Sequence, residues 1–336
     1  NGLQDSEEIT YEHFRIELIR RMVAIGIDLG GTNIKAALID RQNGFINTVS
    51  VPTNADLGKE YVFDRIAEVV SELVSHSKEQ PIGIGMGLPG MVSMDRKIVK
   101  YPPNLPGWKV ERVSEELQKR TGLDTVIEND ANLAALGSAR FGAGKDFDNF
   151  VMITLGTGVG GGIIHQNKIF RGTTGMAGEL GHVIIDYHGP LSNSNTRGGI
   201  EAYLGQRFLS RYAADTIRQD TENPLYIRFH RDFDKLEPID LHHAAKEGNE
   251  LAIEILRKSG EKLGYAIVNY LHILDFRKVI VSGGVANAGD FILQPARDTA
   301  RRLLMPPFTE GFEIIVESLG NEAALLGAAS LAFEEL

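Results

Sequence analysis

The sequence MVAIGIDLGGTNIKAALID, from Met22 to Asp40, predicts two strands joined by a tight glycine turn. The apolar residues 22–28 are typical of a buried strand, and residues 34–39 are typical of a second strand that follows the turn at 29–32. FVMITL at residues 150–155 runs into a similar turn rich in Gly and Thr. The chain thus contains the same strand–turn–strand layout twice, which predicts a duplicated domain.

Predicted helices alternate with predicted strands along the rest of the chain, so we expect an α/β fold with covered sheets. We expect residues 1–21 to form an N-terminal extension that precedes a natural start at Met22. A smaller first domain would span residues 22–127 and a larger second domain residues 128–320, while the final helix, about residues 321–336, would pack back on the first domain. The duplicated layout also predicts a cleft between the two domains.

The composition excludes several classes of protein. The 45 acidic residues outnumber the 35 basic ones and give a net charge of −10, so the chain lacks the basic surface that nucleic acids require. Its apolar runs are shorter than the roughly 20 residues of a membrane-spanning helix. The absence of cysteine excludes disulfides, thiolate metal sites and thiol nucleophiles. Without a recognisable secretion leader, the sequence predicts a cytoplasmic enzyme that binds neither nucleic acid nor membrane.

The first glycine loop is the DLGGTN motif that begins at Asp28. Gly30 and Gly31 would let backbone N–H groups approach a phosphate closely, and the side chains of Thr32 and Asn33 would add neutral donors. The carboxylate of Asp28 could hold Mg²⁺ through water, because this ion takes only one or two carboxylates alongside phosphates. An ordinary hairpin with an Asp at its turn is the alternative interpretation.

A second glycine loop occupies residues 155–162, LGTGVGGG. Because glycine loses more backbone entropy on folding than any other residue, such a dense run predicts a close approach to a ligand. The loop contains the spacing G-x-G-x-x-G, but the residues that follow it are typical of a strand and not of a helix. This context excludes the dinucleotide-binding fingerprint, and the chain has no P-loop motif.

A third glycine turn, Ser282-Gly283-Gly284-Val285, follows a predicted strand at residues 278–282 and precedes a predicted helix. A turn of this kind is typical of a nucleoside-binding site. A tight strand-to-helix turn without a ligand is an equally good interpretation of these four residues alone.

Asp130 is the candidate catalytic residue. It follows a predicted strand at residues 125–128 and lies at the N terminus of a predicted helix over 131–141, where the helix dipole favours an ionised carboxylate. Such an acid could accept a proton from an attacking hydroxyl. The alternative interpretation is a plain helix cap.

Seven separate motifs occur in an order that resembles the ROK family, whose name covers repressors, open reading frames and kinases. They are DLGGTNIKAALID from residue 28, GLPG at 87–90, PNLPGW at 103–108, END at 128–130, LGTGVGGG at 155–162, GELGH at 178–182 and GGIEAY at 198–203. The resemblance runs from about Met22 to the end of the chain. It implies two actin-like, ribonuclease H-like domains and an ATP-dependent kinase that acts, as a glucokinase does, on the 6-hydroxyl of a hexose.

The resemblance also implies roles for individual residues. Asp130 would be the catalytic base, and Asp28 would associate with Mg²⁺ through water. The residues expected to bind the sugar are Gly90, Asn104, Asn129, Glu179, His182 and Glu201. The residues expected to bind the phosphates and the nucleoside of ATP are Asp28, Gly30, Gly31, Thr32, Asn33, Thr157, Gly158, Gly283 and Gly284.

One stretch departs from the family pattern. Many members of the family hold a structural zinc through the His of a G-x-x-G-H motif and three Cys, and those three Cys positions are Ser192, Ser194 and Gly199 in this chain. Neutral hydroxyls and a glycine are not zinc ligands. We therefore expect no zinc, a loop held by Arg197 and by hydrogen bonds of its Asn and Ser side chains, and a His182 that is left to bind the sugar.

Several alternatives stay open. The substrate could be N-acetylmannosamine or N-acetylglucosamine, and the donor could be polyphosphate, although the weakly basic loops favour a nucleotide. A non-catalytic sugar-sensing protein is a further interpretation; a DNA-binding repressor would need a helix-turn-helix domain ahead of Met22, where 21 residues stand. The family resemblance also suggests a homodimer or a homotetramer.

Overall fold

The computed structural model describes residues 22–336, which form two compact units. The first unit contains residues 22–142, Arg171–Ala177 and Asn321–Leu336, and the second contains Ala143–Phe170 and Gly178–Gly320. The extension expected at residues 1–21 lies outside the described residues.

The first unit is built on a five-stranded mixed sheet. Its strands, from one edge to the other, are β3 (Gly44–Pro52), β2 (Asn33–Asp40), β1 (Val23–Leu29), β4 (Ile84–Leu88) and β8 (Thr125–Asn129). The short strands β5 (Met91–Val92), β6 (Val99–Lys100) and β7 (Val110–Glu111) form a second sheet. The helices of this unit are α1 (Lys59–Ser75), α2 (Val113–Thr121), α3 (Asp130–Phe141) and α11 (Glu322–Glu335).

The second unit repeats this plan. The strands of its sheet, in spatial order, are β11 (Lys168–Ile169), β10 (Val159–His165), β9 (Phe150–Leu155), β12 (Lys278–Ser282) and β13 (Glu313–Val316). Its helices are α4 (Glu201–Leu204), α5 (Gln206–Ile217), α6 (Pro224–Phe229), α7 (Pro238–Lys246), α8 (Glu250–Leu274), α9 (Asp290–Leu303) and α10 (Pro306–Thr309). In each sheet the first three strands are antiparallel and the next two are parallel to the third, so the predicted α/β duplication is confirmed.

Each unit has its own apolar core. In the first unit, Val62, Ile66 and Val70 recur at helical spacing and bury one face of α1, which packs on β2 and β3. In the second unit, the long helix α8 packs against α7 and α9. No helix within residues 22–336 has both the length and the apolar character that crossing a bilayer requires.

The last helix, α11, packs against β1, β4 and α3 of the first unit. The approach is close, since a Cβ at Gly85 of β4 would lie inside the backbone of Ala328. Glycine at this position of the strand therefore lets an alanine-rich helix rest directly on the sheet.

The boundary between the units differs from the one expected at residues 127–128. β8 pairs with β4 along its whole length, from Ile84 opposite Thr125 to Leu88 opposite Asn129, and α3 packs against α11. Residues 128–142 therefore belong to the first unit, although the sequence assigned them to the second domain.

The apolar sequence HVIID at residues 182–186 also predicts a strand, and this prediction is wrong. Residues Leu180–His182 form a single 3₁₀ turn, and an isolated bridge joins Ile184 to Gly199. The turn at Leu180–His182 occupies the start of this stretch, and the side chain of Leu180 packs directly on Gly161 of β10.

Candidate active site

Two carboxylates lie near the carboxyl ends of three parallel strands in the first unit. Asp28, near the end of β1, pairs with Gly87 of β4, and Gly87 pairs with Glu128 of β8. Asp130 follows as the first residue of α3. Ligands of open α/β sheets bind at this end of the parallel strands, so both acids lie where a substrate is expected.

Both carboxyl groups hold their protons more tightly than ordinary aspartates. Burial raises the pKa of Asp28 to about 6; the charge of Asp130 adds to the rise, and Lys35 opposes it. Burial also raises the pKa of Asp130, and the backbone N–H of Ala131, which donates to its Oδ1 at 2.9 Å, opposes that rise. A carboxylate with a raised pKa is a stronger proton acceptor once it is ionised.

Asn129, and not Asp130, caps α3. Its Oδ1 accepts from the backbone N–H groups of Ala131 at 3.0 Å and Asn132 at 3.3 Å. The interpretation of Asp130 as a plain helix cap is therefore wrong. Since the amide oxygen of Asn129 closes the helix end, the two N–H donors on its Nδ2 are the groups suited to a sugar hydroxyl.

A buried carboxylate orders the residues next to Asp130, and no motif in the sequence marked it as a positioning group. Glu128 is 0% exposed, and its Oε2 lies 2.7 Å from Nε of Arg171 and 3.4 Å from Nε of Arg96. Its Oε1 accepts from the backbone N–H of Asn129 at 2.9 Å and from Nδ2 of Asn132 at 3.2 Å. Two ion pairs and two hydrogen bonds thus converge on one carboxylate, which fixes the start of α3.

Arg171 fastens a distant part of the chain to the same unit. Its guanidinium donates to the backbone oxygens of Ser93 at 2.9 Å and Met94 at 2.8 Å, in addition to its ion pair with Glu128. The segment Arg171–Ala177 thereby joins the first unit. The sequence around Arg171 carries no local signal of this role, because its partners Glu128, Ser93 and Met94 lie far away along the chain.

The first glycine loop contacts the loop that carries Asn104. The backbone N–H of Gly30 donates to the oxygen of Asn33 at 3.0 Å, and Oγ1 of Thr53 donates to the oxygen of Gly30 at 2.7 Å. A Cβ at Gly31 would lie 2.8 Å from Cβ of Asn104, so this close approach requires glycine. The structure therefore brings the predicted phosphate loop and a predicted sugar ligand together.

Gly90 lies against the residues that precede Asn104. It has a φ of +110°, and a Cβ there would stand 2.8 Å from Cα of Pro102. Thr32 and Asn33, the neutral donors of the first loop, have exposed side chains. Both side chains are accessible to a ligand.

In the second unit, Glu201 lies against the second glycine loop. Its Oε2 accepts from the backbone N–H of Val159 at 3.3 Å, and a Cβ at Gly158 would overlap the same carboxylate. A predicted sugar ligand and a predicted phosphate ligand are therefore direct neighbours. One oxygen of Glu201 is already engaged by the loop.

Glu179 directly precedes the turn at Leu180–His182, and His182 is its last residue. Nε2 of His182 lies 3.7 Å from Oε2 of Glu179. On the other side of the ring, Nδ1 lies 3.1 Å from Oγ of Ser194, which also contacts the hydroxyls of Ser192 at 2.9 Å and Thr196 at 3.2 Å. A chain of hydroxyls thus orients the imidazole.

The residues at this turn do not fit the structural zinc that many members of the family hold. The imidazole of His182 meets a hydroxyl at the position where a thiolate would be expected, and hydroxyls and glycine are poor zinc ligands. The loop has other ties: Arg197 donates to the backbone oxygen of Gly189 at 3.2 Å and is bridged to Leu191. Hydrogen bonds are therefore sufficient to explain the shape of this loop.

The third glycine turn contacts the start of the second glycine loop. Gly283 has a φ of +98°, and a Cβ there would overlap the backbone of Leu155. Gly284 and Gly156 both differ from Gly283. Neither has a positive φ, and no protein atom lies within 4 Å of the place where a Cβ would stand. Packing therefore does not require glycine at these two positions. Glycine there leaves the backbone open to close approach by a phosphate or a nucleoside.

Magnesium would have to be held with few protein ligands. Within residues 22–336, no three His, Asp or Glu side chains cluster as a ready metal site. Mg²⁺ usually takes one or two carboxylates and completes its shell with phosphates and water. Asp28 supplies one carboxylate near that of Asp130, which fits a shell that phosphates and water complete.

The predicted site residues fall into two groups, each within one unit. Those of the first unit are Asp28, Gly30, Gly31, Thr32, Asn33, Gly90, Asn104, Asn129 and Asp130. Those of the second unit are Thr157, Gly158, Glu179, His182, Glu201, Gly283 and Gly284.

Comparison with known proteins gives consistent results. The sequence profile of the ROK family matches residues 24–335. A glucokinase from Thermotoga maritima is 34% identical over 316 residues, which cover 94% of this chain and 99% of the relative. A xylose repressor from Bacillus subtilis is 27% identical over a match that covers 93% of this chain and 77% of the repressor.

Among solved structures, a ROK family glucokinase from Streptomyces griseus in complex with glucose and AMPPNP is 34% identical to this chain. The match has a TM-score of 0.79 and covers 93% of this chain and 99% of that one. The expected fold, an α/β protein of two actin-like domains, is thereby confirmed.

Proposed function

Since the chain belongs to the ROK family, we propose that it is an ATP-dependent sugar kinase with the activity of a glucokinase. The observation that carries the proposal is the position of Asp130. Its carboxylate has a raised pKa and starts α3 close to Asp28, at the carboxyl ends of three parallel strands. Glucose is the proposed acceptor, through its 6-hydroxyl.

The proposed reaction moves the γ-phosphoryl group of ATP to the sugar. As the hydroxyl oxygen attacks the γ-phosphorus, Asp130 accepts its proton, and the bond from the γ-phosphorus to the bridging oxygen breaks to leave ADP. Phosphoryl transfer needs positioning and charge stabilisation more than covalent catalysis. The raised pKa of Asp130 favours the proton transfer.

Binding of the phosphates is proposed for the glycine loops. The exposed side chains of Thr32, Asn33 and Thr157 would donate to phosphate oxygens, and the open backbone at Gly156 and Gly284 would allow close contact. When bound, Mg²⁺ would neutralise charge on the phosphates, and Asp28 is the residue we propose to hold it through water.

Binding of the sugar is proposed for Gly90, Asn104 and Asn129 of the first unit and for Glu179, His182 and Glu201 of the second. Ionised Glu179 and Glu201 can only accept hydrogen bonds, so they suit sugar hydroxyls, whereas the Nδ2 amides of Asn104 and Asn129 are donors. A site built to pair hydroxyls discriminates against analogues that lack one by about 10⁴–10⁵-fold. We therefore expect strict sugar specificity.

A coupled assay of ADP release with Mg-ATP tests this function. The acceptor panel is glucose, mannose, fructose, allose, N-acetylglucosamine and N-acetylmannosamine. We expect glucose to give the highest kcat/KM. Preference for an N-acetylhexosamine would reassign the acceptor, and ligand-induced stabilisation by sugar without any ADP release would favour a sugar-sensing protein.

The cytoplasmic location and the homodimeric or homotetrameric state are proposals as well. Fractionation of cells tests the first, and size-exclusion chromatography with light scattering tests the second. A donor assay tests the proposed use of a nucleotide. It measures sugar phosphorylation with ATP and, separately, with inorganic polyphosphate in place of ATP.

A further inference from the structure

A cavity of about 510 Å³ lies in the second unit, between the second glycine loop and α5. Its lining includes Thr157 of the loop, Arg207 and Arg211 of α5, and the apolar side chains of Phe233 and Leu236. The volume falls within the range of small-ligand sites. Thr157 is the only lining residue that the sequence had singled out.

The glycine loop and α5 are fixed to one another. The backbone N–H of Gln206, the first residue of α5, donates to the oxygen of Gly156 at 2.9 Å. A Cβ at Gly205 would stand 3.2 Å from the oxygen of Thr157, so the chain before the helix also touches the loop. Arg207 is therefore in the turn nearest the loop, and Arg211 lies one helical turn later on the same face.

The two arginines are exposed and have no hydrogen-bond or ion-pair partner within residues 22–336. The hydroxyl of Thr157 likewise has no partner in that range. Arg218, the residue directly after α5, differs from these two arginines, since it pairs with Asp215 at 2.6 Å and stacks over Phe233 at 4.6 Å. The loop end of the cavity thus presents donors that the protein itself does not satisfy.

Acidic groups also line this cavity. Asp234 and Glu237 belong to the same segment as Phe233. This segment lines the end of the cavity where Arg218 stacks over Phe233. The cavity therefore has a cationic end beside the glycine loop and a mixed end that carries apolar and acidic side chains. An anion would bind at the first of these two ends.

We propose that the loop end of this cavity binds the condensed phosphate chain of the donor, and that Arg207 and Arg211 contact its phosphate oxygens. The inference rests on the proposed function, because it concerns the donor of that reaction. Guanidinium groups match phosphate oxygens in geometry and charge, and a nearby hydroxyl adds a further donor. A nucleoside triphosphate and inorganic polyphosphate share this chemistry.

Calorimetric titration of the full chain with ATP, inorganic tripolyphosphate and adenosine tests the proposal. The variant is Arg207→Ala/Arg211→Ala, and its matched control is Arg301→Ala/Arg302→Ala, which removes the same charge from two exposed arginines of α9 that do not line the cavity. We expect the first variant to weaken ATP and tripolyphosphate by at least about tenfold, because hydrogen bonds to charged groups are the strong ones. The control and the titration with glucose should not change.

Arg207→Lys/Arg211→Lys keeps the charge and should recover part of the lost affinity, which shows that the loss is not due to misfolding.

ATP affinity unchanged in the alanine variant would overturn the proposal, even where glucose is still phosphorylated. A loss confined to adenosine would also overturn it, since the cavity would then bind the nucleoside. The protein could bind tripolyphosphate through the arginines and yet phosphorylate no sugar. That result would support the phosphate site in the cavity and reject the kinase function. If the alanine variant loses affinity for ATP and for tripolyphosphate to a comparable extent, the arginines contact the phosphate chain that the two ligands share. The donor assay then decides whether ATP or polyphosphate is the phosphoryl donor.

Discussion

Nε of Arg171 lies 2.7 Å from Oε2 of Glu128, and both side chains are buried. The other carboxylate oxygen of Glu128 accepts the backbone N–H of Asn129 at 2.9 Å, directly before Asp130. Burying two charges is costly unless each is paired and hydrogen-bonded, and here both are. The proposed catalytic base is thus held in place by an arginine from a distant part of the chain.

Replacing Arg171 by lysine should lower kcat by about tenfold to a hundredfold, because lysine cannot reproduce the fork that joins Glu128 to the backbone oxygens of Ser93 and Met94. The KM for ATP should stay nearly unchanged. Steady-state kinetics at saturating sugar measures both. The control is Arg65→Lys, which alters an exposed pair with Glu68. A normal kcat in Arg171→Lys would show that this contact supports only the fold.

The rate should fall as the pH drops through about 6. The pKa of Asp28 is raised to about 6 and that of Asp130 is raised as well, and both carboxyl groups must be ionised to hold a cation and to accept a proton. A profile of kcat/KM against pH at constant Mg-ATP measures this acid limb. Full activity down to about pH 4, the range of ordinary aspartates, would contradict the shifted values.

Replacing Ser194 by alanine should weaken sugar binding several-fold and leave the KM for ATP unchanged. The hydroxyl of Ser194 contacts Nδ1 of His182 at 3.1 Å, so its loss frees the imidazole to rotate. Calorimetric titration with the sugar measures the effect. Gln166→Ala, on an exposed turn, serves as the control.

A zinc-selective chelator should leave the activity of the wild-type protein unchanged. The hydroxyls of Ser192 and Ser194 and the glycine at position 199 are not zinc ligands. Elemental analysis of the purified protein gives an independent measurement. One zinc per chain, with loss of activity on its removal, would disprove this account of the loop.

Replacing Gly284 by alanine should raise the KM for ATP while the melting temperature stays the same. A Cβ at this position meets no protein atom within 4 Å, and the backbone has no positive φ. The added methyl group would therefore affect a bound nucleotide and not the fold. Gly283→Ala is the contrasting variant: it should destabilise the protein, because its Cβ would overlap the backbone of Leu155. Unchanged ATP kinetics in Gly284→Ala would remove this turn from the nucleotide site.

The sequence predicted the strand–turn–strand layout in each of the two five-stranded sheets because its signals are local. The apolar run at 22–28 and the glycine turn after it lie within a few residues of each other, and the same holds for residues 150–162. The strand expected at 182–186 failed because an apolar run does not show whether a partner strand lies beside it: a 3₁₀ turn ends at His182, and Ile184 forms an isolated bridge with Gly199.

Long-range contacts set the limit on predicting the site. The motifs indicated Asp28, Asp130 and the glycine loops, but they carried no signal for the partners that orient them. Arg171 meets Glu128, and Ser194 meets His182, only after the chain has folded. The domain boundary failed for the same reason, since the pairing of β8 with β4 is not visible in the sequence of either strand.

The most direct test of the account is the turnover of Asp130→Asn with glucose and Mg-ATP. Asparagine has nearly the same shape but cannot accept the proton, so we expect kcat to fall by about 10²–10⁴-fold while glucose and ATP still bind and the protein still folds. Turnover close to that of the wild type would contradict the assignment of Asp130 as the base, and with it the proposed mechanism.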